Sequence, residues 1–256
     1  MSPILEVEGL EKKYGNQAGC LDINLVLYPG EVLGVVGESG SGKSTMLNCI
    51  SGQLLPEKGT VKFNSPSKGL VDIWSISNAD QRFLARKEWA FVHQNPRDGL
   101  RMDISAGGNI GERLMSIGNR HYGQIRKAAE EWMERIELNA ERIDHRPTTF
   151  SGGMQQRLQI ARSLVTNPPL IFMDEPTGGL DVSVQARLLD LIRQLVHDLG
   201  LATILVTHDL AVIRMLADRI LVMQKGRIVE SGLADQVLDD PQHPYSQLLV
   251  TSVLRV

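Results

Sequence analysis

The chain has 256 residues, 42% hydrophobic and 22% charged, with a formal net charge of -3. That length can bury a sizeable core, and the charge balance offers no global basic field for nucleic acid. Cys20 and Cys49 form no C-x-x-C pair, which argues against a disulfide framework or a zinc site and fits a reduced, cytoplasmic setting. Cys49 is most simply a small core residue. Met1–Glu6 shows no basic region followed by an apolar stretch, so no signal peptide is expected. No apolar run approaches a membrane span, so direct membrane insertion is not expected.

In chain order, Ile4–Glu8 alternates apolar and polar residues as a half-exposed strand does. Lys12–Gly15 reads as a loop and Leu21–Leu27 as a second strand. Tyr28–Glu31 is a turn into the apolar run Val32–Val36, which reads as a buried strand. Gly59–Phe63 looks like another strand. From about residue 95 the character changes: Asn95–Leu100 reads as a loop and Gly107–Asn109 as a break. Gln124–Leu138 then carries an apolar stripe (Ile125, Ala128, Ala129, Trp132, Met133, Ile136) at helical spacing. Strand signals return at Leu170–Asp174. A helix over Val182–Leu199, a strand over Ala202–Thr207, a helix around Leu210–Ala217 and a hairpin of Ile220–Met223 with Arg227–Glu230 complete the pattern. The alternation predicts an α/β chain with a mostly parallel sheet covered on both faces, and a helical region inserted into it.

Three stretches carry chemistry. Gly37-Glu38-Ser39-Gly40-Ser41-Gly42-Lys43-Ser44-Thr45 fits G-x-x-x-x-G-K-[ST] between a strand and a helix. Glycines there let successive N–H groups converge on an anion, Lys43 can reach phosphate, and Ser44 can place its hydroxyl on Mg²⁺. The bland alternative is an ordinary glycine turn. Leu170–Asp174 ends in Asp174 and Glu175, suited respectively to hold Mg²⁺ and to polarise a water; two exposed acids opening a loop is the alternative. Ser151 can cap a helix whose Gly152 and Gly153 expose backbone N–H groups, a second anion site or simply a capped surface helix.

Taken together and in this order, these stretches resemble the ATP-binding-cassette ATPases, along with Val206-Thr207-His208-Asp209. The resemblance covers nearly the whole chain. It departs at Phe150 and Met154, which flank the Ser-Gly-Gly core where Leu and Gln are usual. It implies a P-loop NTPase fold with a RecA-like core, an antiparallel β subdomain and a helical subdomain. The core with the β subdomain would take about 1–94 and 167–256, and the helical subdomain about 95–166. ATP and Mg²⁺ are the implied cofactors. By the same resemblance Tyr14 stacks on adenine, although a structural loop tyrosine is the alternative. Gln94 links the Mg²⁺ site to the helical subdomain, His208 contacts the γ-phosphate, and Asp181, after Gly178-Gly179-Leu180, contacts a partner subunit. Gly37, Ser39–Thr45, Ser151, Gly152, Gly153 and Gln155 complete the nucleotide contacts. Two such domains would close head to tail around ATP, this chain pairing with itself or with a second cassette protein.

The tail Leu238–Leu249, with Pro241-Gln242-His243-Pro244-Tyr245, resembles the end of oligopeptide and nickel importer ATPases. The segments Asp98–Arg101, Ser105–Met115 and Arg120–Gly123, with Pro147–Phe150 and the end at Val256, resemble instead the ATP-binding subunits of bacterial carbon–phosphorus lyase systems. That second resemblance is preferred. It implies docking on a soluble lyase core, with the carbon–phosphorus chemistry on another subunit. A translation or repair factor is disfavoured, because such proteins usually carry paired cassettes and this chain has one phosphate loop.

Overall fold

The computed structural model describes residues 2–15 and 17–253; Met1, Asn16 and residues 254–256, Val256 among them, lie outside the described residues. A four-stranded antiparallel sheet has the order β2-β1-β4-β5, formed by β1 (Leu5–Tyr14), β2 (Gln17–Leu27), β4 (Lys58–Ser65) and β5 (Gly69–Asp72). A six-stranded sheet has the order β10-β9-β3-β8-β7-β6. Its members are β3 (Val32–Val36), β6 (Trp89–Val92), β7 (Leu170–Asp174), β8 (Ala202–Val206), β9 (Arg219–Gln224) and β10 (Arg227–Leu233). β6, β7, β8, β3 and β9 pair in parallel, and β10 returns antiparallel along β9.

The interior strands are apolar on both faces, and their period of two sorts them into two cores. Leu33 and Val35 of β3, Leu170 and Phe172 of β7, and Ala202, Ile204 and Val206 of β8 face the core shared with the antiparallel sheet and with α1 (Lys43–Ile50). Val32 and Val36, Ile171 and Met173, and Leu205 face the other way, onto helices. Those helices include α6 (Gly152–Leu164), α7 (Val182–Leu199) and α8 (Leu210–Leu216). Helix α2 (Asn78–Lys87), capped by Ser77, precedes β6. Between β6 and β7 come α3 (Pro96–Gly99), α4 (Ala106–Ser116), α5 (Tyr122–Arg135) and α6; α9 (Ala234–Asp239) and α10 (Pro244–Val253) follow β10.

The expected helix over Val182–Leu199 is observed at those residues. Three local expectations are corrected. Lys12–Tyr14 is not loop but the end of β1, where the pairs Lys12–Cys20 and Lys13–Ala18 prolong the ladder past register shifts. Asn95–Leu100 contains the single turn α3, because Asn95 Oδ1 accepts the Arg97 N–H at 3.1 Å and Pro96 starts the helix. Gly107–Asn109 lies inside α4. Ser105 caps that helix, a side chain at Gly107 would collide with Ile143, and buried Asn109 donates to the Arg101 carbonyl at 2.9 Å. Close packing of α4 outweighs the glycines' poor helix propensity.

Phe63 of β4 and Trp89 of β6 meet edge to face, with ring centroids 5.4 Å apart, and join the two sheets. Phe63→Ala is expected to lower stability by about 3–5 kcal/mol, read as a lower urea midpoint at an unchanged slope.

Candidate functional site

Parallel pairing brings the carboxyl ends of β3, β6, β7 and β8 to one edge of the sheet, where ligands of open α/β sheets bind. The phosphate loop follows β3, His93-Gln94 follows β6, Asp174 ends β7 with Glu175 next, and Thr207-His208 follows β8. A cleft of about 690 Å³ at this edge is lined by Ser39, Gly40, Gly42, Lys43, Ser44, Thr45, Gln94, Glu175 and His208, with Tyr14 at its rim.

The loop's shape is set by close backbone approaches. Gly42 has φ +103, and a Cβ there would lie 1.9 Å from the Gly19 carbonyl oxygen. Only glycine fits, and it starts α1 so that the helix's first N–H groups open into the cleft. Lys43 is only 7% exposed; its Nζ donates to the carbonyls of Gly37 at 2.7 Å and Glu38 at 2.9 Å. Burial pushes its ammonium pKa down, opposed by the charges of Glu175, Asp174 and Glu38. The buried Ser41 hydroxyl has no hydrogen-bond partner among the described residues, while Ser41 N–H donates to the Glu38 carbonyl.

Ser44 Oγ donates to Asp174 Oδ1 at 3.2 Å, joining the loop to the end of β7. Burial pushes the Asp174 carboxyl up; the Ser44 hydrogen bond opposes this and the Glu175 charge adds to it. A hydroxyl and a carboxylate side by side at a partly buried position suit a hard cation sharing its remaining ligands with phosphate and water. Among the described residues no group of three or more His, Cys, Asp or Glu could hold a metal by itself.

Glu175 has φ +47, a left-handed conformation uncommon outside glycine. Its N–H donates to the Val206 carbonyl at 2.8 Å, and its carboxylate lies 2.7 and 2.8 Å from His208 Nδ1. The histidine side chain is 69% exposed and that of Glu175 15%. Asp209 caps α8 and accepts from Gln185 Nε2 of α7 at 3.0 Å, which ties the His208 turn to α7. Tyr14, 52% exposed, packs over Gly19, where a side chain would press on the Tyr14 ring at 3.0 Å and on Thr45 at 2.7 Å.

Gly37 and Ser41 sit buried behind the loop, while Ser151, Gly152, Gly153, Gln155 and Asp181 are not among the residues lining the cleft. Ser151 caps α6 by accepting the Met154 N–H at 3.4 Å. Gly153 faces the start of α7, for its Cβ would lie 2.4 Å from Val184 Cγ1, so the Ser151 turn and Asp181 share one surface. Gln155 is turned inward. Its Nε2 donates to the carbonyls of Pro147 and Phe150, fastening the turn before α6 rather than facing a ligand.

Sequence reasoning missed two contributors. Gly19 was signalled only by a glycine in a strand, a mark of close backbone approach. Gln159 had no signal beyond a polar residue on an apolar helix. Its amide pairs with the His93 backbone, Oε1 accepting the N–H at 2.8 Å and Nε2 donating to the carbonyl at 3.1 Å. The residue before Gln94 is thereby fixed to α6.

The family model described as ABC transporter matches residues 20–178. The chain belongs to this ATP-binding-cassette family. It is 61% identical, over 99% of its length and 98% of the relative's, to the Escherichia coli (strain K12) protein PhnK, named as a phosphonates utilization ATP-binding protein. A Brucella abortus (strain 2308) protein named for peptide import is 36% identical over 99% of this cassette and 78% of its own length. Among solved structures, the dimeric post-hydrolysis state of the cassette MJ0796 bound to ADP and Pi aligns at a TM-score of 0.80. Its identity is 30%, over 90% of this chain and 98% of that one. The cbiO1 subunit of the Clostridium perfringens complex cbiONQ aligns at 0.81 with 26% identity, over 100% and 96% of the two chains.

Gln159→Leu is expected to leave the His93 N–H without its acceptor, while the His93 carbonyl keeps Gln156 Nε2 at 3.1 Å. Stability should fall by about 1–3 kcal/mol in urea unfolding.

Proposed function

We propose that this cassette binds and hydrolyses MgATP, and that it does so docked on a carbon–phosphorus lyase core during phosphonate breakdown. The site reading rests on one arrangement: Lys43, the Ser44–Asp174 pair and the Glu175–His208 pair converge on a single cleft. The α1 N-terminus and Lys43 bind the phosphates, and Tyr14 offers its exposed ring to the base. Ser44 and Asp174 would hold Mg²⁺, with Gln94 lining the same cleft; the ion would compensate phosphate charge. Glu175 orients the attacking water and draws on its proton. His208, once it turns from Glu175, donates to a phosphate oxygen.

Ser151, Gly152, Gly153 and Asp181 occupy a different surface and await a second cassette. That cassette is a copy of this chain or a homologue set head to tail, so that each Ser151 turn meets the other's phosphate loop. The dimeric relative with ADP and Pi supports this pairing. A ligand touching both faces favours the closed pair, and a switch from 1:99 to 99:1 needs about 5.5 kcal/mol of differential binding.

The phosphonate assignment is supported by the end-to-end identity with PhnK. A peptide-type importer motor is the second reading, favoured by the Pro241–Tyr245 tail and the import relatives, which are longer than this chain. No helix among the described residues is long and apolar enough to cross a membrane.

Glu175→Gln is expected to bind ATP, dimerise in its presence and hydrolyse at least about 100-fold more slowly, as loss of a general base does; turnover at the wild-type rate removes the role given to Glu175. The partner is tested by tagging the chain in its host during growth on a phosphonate. Copurification with lyase subunits is expected, whereas recovery mainly with an integral permease moves the assignment to import.

A further inference from the structure

The tail after β10 reaches back to the phosphate loop. Two backbone N–H groups, of Gln242 and His243, donate to the two carboxylate oxygens of Glu230 at 2.7 and 3.0 Å. Tyr245 N–H then donates to His243 Nδ1 at 3.1 Å, which starts α10, and Gln247 Nε2 donates to the Pro241 carbonyl at 3.0 Å. Held this way, Tyr245 lies nine-tenths buried in the helical core, and its hydroxyl accepts the Glu38 N–H at 2.9 Å across 207 residues of sequence.

Glu38 is the residue around which the loop is braced. Its carbonyl accepts both Lys43 Nζ and Ser41 N–H, while its own N–H points away to Tyr245. Glu38 is exposed and lines the cleft, yet its N–H is held by a mostly buried tyrosine supplied from a separate part of the chain. Tyr245 is not among the residues lining the cleft.

We infer that Tyr245 is a positioning residue for nucleotide binding: by fixing the Glu38 peptide it holds Lys43 and the loop in their binding geometry, and it makes the docking of α10 an affinity control on the cleft. The inference rests on the nucleotide-site reading given above. Its reciprocal form is that nucleotide tightens the tail, because coupling between two sites acts equally in both directions. Whatever lifts α10 off the core therefore weakens nucleotide binding without touching the cleft.

The test uses the full chain and MgADP. Tyr245→Phe keeps the buried ring and removes only the acceptor. Its dissociation constant for MgADP is expected to rise about three- to tenfold, tenfold being 1.4 kcal/mol. The KM for ATP should rise by a similar factor while kcat falls by less. Independently of any variant, saturating MgADP is expected to slow amide exchange over residues 241–253 of the wild-type chain. In Tyr245→Phe that nucleotide-dependent slowing should vanish; a merely structural tyrosine would raise exchange equally with and without MgADP. Wild-type affinity in Tyr245→Phe, or a tail whose exchange ignores MgADP, overturns the inference. Lys43→Ala separates the two readings: loss of MgADP binding keeps the nucleotide site, and wild-type binding removes the site itself.

Discussion

Parallel pairing of β6, β7, β8, β3 and β9 places five carboxyl ends along one edge, and the cleft is a consequence of that direction. Val35 and Asp174 both stand at the level of Val206 in the ladder, so the phosphate loop, the β7 acids and the His208 turn emerge side by side. No side chain needs to reach far. Glu175 finds His208 because each follows its strand by a residue or two, and Ser44 finds Asp174 because the phosphate loop curls back to set the start of α1 beside the end of β7. Reversing one of these strands would carry its group to the opposite edge.

The same edge gathers charge of both signs at partly buried positions. Lys43 is bound by two backbone carbonyls and not by a carboxylate, while Glu175 pairs with the His208 imidazole and Asp174 with the Ser44 hydroxyl.

Much of this was legible in the chain because it is written in short, contiguous patterns. The strand Val32–Val36 is apolar throughout and Leu170–Asp174 is apolar up to its terminal acid, and the glycines of the phosphate loop stand between a strand and a helix. Other features depend on contacts between distant segments and leave no local trace. Gly107 and Gly111 look like helix breakers until Ile143 and Ile125 are seen against them. Gln159 and Tyr245 act through backbone groups of His93 and Glu38, and a backbone group carries no residue identity to search for. Gln155 illustrates the converse. Its place in a signature suggested a ligand contact, but its amide spends its hydrogen bonds on Pro147 and Phe150.

The left-handed backbone of Glu175 sets the interests of the fold against those of the cleft. An L-residue other than glycine is disfavoured there by about 1–2 kcal/mol, a noticeable share of the 5–15 kcal/mol that holds a typical domain together. Glycine would relax the backbone and delete the carboxylate. Selection for thermal robustness alone would therefore pull residue 175 toward glycine, and a laboratory evolution scheme that scores only soluble yield would have no reason to keep its carboxylate in the cleft.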